Sequence, residues 1–88
     1  MTKTNEILQT RETTHGDFEM KAMWIQEIME NITGLYVWED MAADQREAIH
    51  MILVKLSRIL YGDPNFKDHW DDIAGYAELV SERLKDSK

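Results

Sequence analysis

Three aspartates, a histidine and a tryptophan crowd the stretch "KDHWDDIAGYAELV", residues 67–80. Positions i, i+3 and i+4 of a helix share a face, so Asp68, Asp71 and Asp72 could converge on one cation, with Glu47 or His50 of a preceding helix opposite them. Carboxylate oxygens of this kind suit magnesium or manganese. Lys55 and Arg58, one helical turn apart, could then hold a phosphate. Glu47, Asp68 and Asp72 as metal ligands, with Lys55 and Arg58 on phosphate, would make a magnesium-dependent phosphate-ester hydrolase.

The same residues also have a purely structural meaning. Acidic side chains in a first turn complement the helix dipole and cap free amides, which gives Asp68 the role of cap and places Asp71 and Asp72 just inside the helix. Lys55 and Arg58 can extend to solvent from an otherwise apolar helix. The three histidines, His15, His50 and His69, lack the i, i+4 spacing of a zinc-binding helix. No glycine-rich phosphate loop, Ser-His-Asp arrangement or nucleophilic cysteine can be assembled. The favoured reading therefore assigns no catalytic residue and no cofactor, with magnesium kept for the hydrolase alternative.

The elements that must position these residues are helices. After "THGD", where Thr14 or Asp17 can cap, Phe18, Ala22, Ile25, Met29 and Ile32 recur at spacings of three and four and predict a helix ending near Gly34. Leu35, Tyr36, Val37 and Trp38 have strand propensity but no second strand to pair with, and read as an apolar connector with Trp38 packed inward. A second helix is predicted from about Ala42 to Tyr61, with Asp40 or Asp44 near its start and Gly62 as its left-handed terminator. Its apolar positions cover most of its circumference, so it belongs at the centre of a bundle or under another chain. The turn "GDPNF" holds the only proline, and a third helix spans roughly Asp68 to Lys85, with Trp70 facing the second. Short connections make neighbouring helices antiparallel. The expected fold is all-α, a three-helix antiparallel arrangement completed by homo-oligomerisation through Leu53, Leu56 and Leu60. Trp38 and Trp70 are its other anchors, and a polar leader over residues 1–14 precedes a single helical domain over 15–88.

Composition narrows the function. At 88 residues without cysteine, the chain has neither a disulfide framework nor a thiolate metal site to support a small core, which again favours oligomerisation. No stretch approaches the roughly 18 apolar residues of a membrane span, and the N-terminus does not resemble a signal peptide, so a cytoplasmic protein without membrane contact is expected. Seventeen acidic against ten basic residues give a net charge of −7, which disfavours direct binding to nucleic acid. The acidic residues are interspersed with Lys55, Arg58, Lys67, Arg83 and Lys85, a mixture that argues for solubility over DNA mimicry. Six methionines suggest adaptable packing or a contact surface.

The segments "THGDF", "DQREAIHMILVKLSRIL", "GDPN" and "DHWDDIAGYAELV" resemble, in wording and order, a small uncharacterised family found mostly in phages and prophages. That family is distantly similar to phage nucleotide-modification-associated domains and, more faintly, to the MazG-like all-α nucleotide pyrophosphohydrolases. The resemblance implies a phage-encoded helical protein related to nucleotide-handling enzymes. Where the family usually has Glu-Ala-Leu-Asp-Met-Ile, this chain has His50 in place of the aspartate, and the Glu-Glu-x-x-Glu signature of MazG proteins is absent. Losing a carboxylate weakens a magnesium site, since that ion prefers oxygen to imidazole. The expectation is therefore a non-enzymatic accessory protein that binds a host protein or a nucleotide-like signal in the host cytoplasm and modulates host defence or metabolism.

Overall fold

The computed structural model describes residues 13–86. Among them the regular elements are all helical, as expected: α1 (Phe18–Thr33), α2 (Tyr36–Asp40), α3 (Ala43–Tyr61) and α4 (Lys67–Leu84), with residues 13–15 helical as well. Of the polar leader expected over residues 1–14, only Thr13 and Thr14 lie among the described residues.

Each boundary has a local cause. Asp17 is extended and caps α1, its Oδ1 accepting the Glu19 N–H at 2.9 Å. The Gly34 N–H turns back to the Ile32 carbonyl and ends the helix. The segment expected as a connector is instead the short helix α2. Successive residues there step about 100° around the axis, so only one of the four apolar side chains turns inward. Trp38 is that one and is half-buried, while Leu35, Tyr36 and Val37 are exposed. At the start of α3 the Ala42 N–H is satisfied by Gln45 Oε1 at 2.9 Å.

Two termini differ from the sequence expectation. Gly62 has φ −120° and is not the left-handed terminator of α3. Its lack of a side chain matters because a Cβ would run into the backbone of Thr14, His15 and Arg58. The left-handed glycine is Gly16, at φ 85°, and a Cβ on it would sit 2.5 Å from the Tyr61 carbonyl oxygen. Asp68 is not the cap of α4 either. Phe66 holds that position without a side-chain hydrogen bond, and Asp68 lies within the first turn, where its charge still suits the dipole.

Ion pairs fix the register of α3 and α4. Asp44 meets Arg83 at 2.5 Å and Lys55 meets Asp72 at 2.9 Å, so the two helices run antiparallel. α1 is antiparallel to α3 as well, with Gly16 against Tyr61 at one end and Gln26 beside His50 further along. α1 and α4 scarcely meet, leaving α3 as the central helix that its wide apolar stripe predicts. The apolar core is correspondingly thin. Among the described residues only Ala48, Leu53 and Ile59, all on α3, are buried apolar side chains, and the polar Lys21, Ser57 and His69 are buried beside them. Leu56 is half-buried and Leu60 is 62% exposed.

The two extreme glycine environments give opposite expectations. Gly16→Ala should destabilise the chain by more than about 1 kcal/mol, because the alanine is strained at positive φ and collides with Tyr61. Gly75→Ala, in the middle of α4 with nothing within 4 Å of the added methyl, should stabilise it by roughly 0.5–1 kcal/mol. Urea denaturation of the two variants beside the parent checks both signs.

Candidate functional site

The aspartates at the start of α4 all stand at the surface, and two of them are engaged by lysines. Lys67 Nζ binds Asp71 Oδ2 at 2.7 Å within the helix, the i, i+4 geometry of a stabilising pair. Lys55 reaches across from α3 to Asp72 Oδ2, with its own side chain only 12% exposed. Its stem is thus sequestered between helices while its ammonium meets a carboxylate. The hydrogen bond from Lys55 holds the Asp72 carboxyl below the ordinary aspartate range, partly opposed by desolvation, with the charges of Lys55, His69 and Arg58 adding to the lowering.

The antiparallel register separates the other expected ligand. Lys55 lies opposite Asp72 and Asp44 opposite Arg83, so Glu47 sits eight residues before Lys55, about 12 Å along the axis. Glu47 is therefore level with the far part of α4 and not with Asp68 and Asp72. His50 faces α1, where it lines two adjoining cavities with Gln26. Among the described residues no group of three or more His, Cys, Asp or Glu is placed to hold a metal ion. Lys55 and Arg58 are brought to the same region, the first on Asp72 and the second close enough for its charge to act on that carboxylate.

The tryptophan of the same turn does not take the inward position expected of it, and the neighbouring histidine does. Trp70, expected to lock α4 onto α3, is 52% exposed, and its Nε1–H donates to the Pro64 carbonyl at 2.8 Å. His69 is the buried residue, at 1% exposure. Its Nε2 lies 2.8 Å from the Thr14 carbonyl oxygen, which can only accept, so the imidazole carries its proton on Nε2. The Asp63 N–H donates to the same carbonyl at 3.1 Å. His15 packs edge-on against His69 at 5.0 Å between ring centroids, and Phe66 closes the cluster at 4.8 Å from His69. Gly16 and Gly62 permit the close approach that brings these segments together. The motifs "THGDF", "GDPN" and "DHW" thus converge on one buried polar junction, which fastens the chain before α1 to the turn between α3 and α4.

A second grouping, which the sequence spacing does not reveal, lies between α1 and α3. Lys21, Gln26, His50, Ser57 and Arg58 form the polar lining of a cavity of about 220 Å³. The Nε of Arg58 is buried without a hydrogen-bond partner. A third cavity, of about 310 Å³, is apolar and lies between α3 and α4 beside Met41, Ile49, Ile52, Ala77 and Val80.

The Lys55–Asp72 pair carries a pH signature. Because the folded-state pKa of Asp72 lies below its unfolded value, the pair contributes stability above the unfolded aspartate pKa of about 3.9, and that contribution is lost as pH falls through the lower folded value. Asp44, held down chiefly by its hydrogen bond from Arg83, acts with the same sign. Asp72→Asn should therefore be less stable than the parent at neutral pH and converge with it under acid. Melting temperatures recorded from about pH 6 down to about pH 2 test this, and a constant difference across the range would contradict it.

No helix among the described residues is long and apolar enough to cross a membrane. Neither the curated proteins nor the solved structures contain a significant match to this chain. The profile of one family, described as a domain of unknown function (DUF6378), matches residues 1–84. The junction motifs and all three cavities lie within that span, and the chain belongs to the DUF6378 family.

Proposed function

We propose that this protein is a phage-encoded accessory protein that acts in the host cytoplasm by binding a target, without catalytic turnover. The observation that carries the reading is the outer face of α1. Met20 and Met23 are 52% and 68% exposed there, on the side of the helix opposite Ala22, Ile25 and Met29, with Trp24 half-buried beside them. An edge helix with a second apolar face, in a chain whose own core is thin, is built to be covered by something else. Methionine suits such a surface because its flexible, polarisable side chain adapts to a partner's contour. The phage origin rests on the resemblance of the junction motifs, and modulation of host defence or metabolism is the role such a binder would serve.

The pairing of Asp71 and Asp72 with lysines supports binding over turnover, since one oxygen of each carboxylate is already engaged by a cation. The competing reading is the magnesium-dependent nucleotide pyrophosphohydrolase built on Glu47, Asp68 and Asp72. One pair of assays separates them. Affinity capture from host lysate with the parent chain should retain a discrete host protein, Asp68→Ala and Asp72→Ala should still retain it, and Met20→Glu with Met23→Glu should release it. Incubation with each common nucleoside triphosphate and magnesium or manganese should give no phosphate products. Turnover abolished by Glu47→Ala or Asp72→Ala in a folded chain would establish the hydrolase instead.

Self-association is part of the same proposal. Of the expected contact residues, Leu53 is already buried within the chain, while half-buried Leu56 and exposed Leu60 extend along α3 the stripe of Ile49 and Ile52, which border the cavity beside α4. A second copy laid on this stripe would cover apolar area worth roughly 25 cal/mol per Å². Sedimentation velocity at micromolar concentration should show a dimer or larger homo-oligomer that Leu60→Asp dissociates. A monomer for the parent would remove the idea.

A further inference from the structure

We propose that the cavity between α1 and α3 is a binding site for a phosphate group, either inorganic phosphate or the phosphoryl end of a small phosphomonoester. The argument begins with charge. The chain carries 17 acidic residues against 10 basic, yet among the described residues no carboxylate lines this cavity, whereas Lys21 and Arg58 both do, with His50 beside them. Two cationic side chains on one cavity wall in so acidic a protein shift the local potential against the net charge, and a small anion is the ligand that profits from it.

Arg58 supplies the second and independent observation. Lys55, Lys67, Arg83 and Lys85 each form an ion pair, but Arg58 forms none among the described residues. Its Nε–H is buried and donates to no acceptor. A buried, unsatisfied donor on a charged group is costly, and structures keep such groups where an ion or water completes them. The Nε and Nη edge of a guanidinium matches two oxygens of a phosphate, which a point-like lysine cannot do. Since the Nε is closed off from solvent, a small rotation of the guanidinium toward the cavity accompanies binding. Asp72, held at Oδ2 by Lys55 at 2.9 Å, lies close enough for the Arg58 charge to act on it but forms no ion pair with Arg58.

Size and lining restrict the ligand further. The cavity, about 220 Å³, falls below the roughly 300–1,000 Å³ of sites that engulf drug-sized molecules. It accommodates the phosphate itself and leaves the remainder of a larger ligand outside. Ser57 does not act as a donor there, since its hydroxyl is committed to the Val54 carbonyl at 2.6 Å. Gln26 and His50 continue into an adjoining groove of about 420 Å³ beside Met29, Glu30 and Thr33, where the uncharged body of a phosphomonoester would lie. The inference extends beyond the target-binding reading and holds or fails without it.

The test follows the Arg58 Nε–H resonance in ¹H–¹⁵N spectra of the full chain titrated with sodium phosphate at constant ionic strength, alongside sodium chloride. Phosphate should shift that resonance and raise the melting temperature, while chloride should do neither. Glycerol 3-phosphate and a nucleoside monophosphate, compared with glycerol and the free nucleoside, separate the two ligand sources. Tighter binding of either ester than of inorganic phosphate assigns a phosphomonoester, and equal binding assigns phosphate alone. Arg58→Gln should weaken binding by about tenfold or more, and Arg58→Lys should restore part of it. Circular dichroism of both variants verifies folding, and Gln26→Ala supplies a second, less buried probe that should weaken the ester more than phosphate. No shift at millimolar phosphate in the parent chain, or equal affinity in folded Arg58→Gln, overturns the proposal.

Discussion

The carbonyl oxygen of Thr14 holds this structure's distant segments together. It accepts both the His69 Nε2–H and the Asp63 N–H, so one backbone acceptor joins the entrance to α1, the turn after α3 and the first turn of α4. A buried carbonyl without donors, or a buried imidazole without an acceptor, costs on the order of 1–3 kcal/mol. Both hydrogen bonds form only when all three segments are in place. With the buried apolar side chains among the described residues all on α3, such a polar junction carries a share of the specificity that a larger domain would obtain from packing.

Steric conditions make that junction possible. Gly16 supplies the left-handed backbone and Gly62 the close approach, each facing main chain where a methyl group would sit. With the junction closed, α1 and α4 take their places on either side of α3 and the Lys55–Asp72 and Asp44–Arg83 pairs set the axial register. That register carries Glu47 away from the start of α4 and turns His50 toward α1. The arrangement leaves the carboxylates dispersed and the cations Lys21 and Arg58 around a shared cavity. Anion recognition is therefore better served by this geometry than cation coordination.

The sequence carried much of the helical plan and less of its phase. Spacings of three and four located the three long helices, Asp17 was offered with Thr14 as one of two caps, and the broad apolar stripe of α3 implied its central place. Residues 69 and 70 show what was missing. A period identifies a helix, but which of two neighbours 100° apart turns inward depends on how the preceding turn delivers the chain. Here the acceptor that draws His69 inward lies 55 residues away. Trp70, the more hydrophobic candidate, remains at the rim. The same limit applies to Asp72, Glu47 and Lys55, whose types were legible but whose distances depend on interhelical register. The Arg58 cavity was hidden for a related reason, because Lys21 and Arg58 become neighbours only once α1 folds back along α3.

If the Thr14 junction is the constraint that organises the fold, its amides should open only when the whole chain unfolds. Native-state hydrogen exchange at the Asp63 N–H measures this directly. The account predicts an opening free energy for Asp63 equal to that of the slowest amides in the middle of α3, with the same denaturant dependence. Exchange of Asp63 through a low-energy local opening, while the amides around Leu53 stay protected, would contradict it.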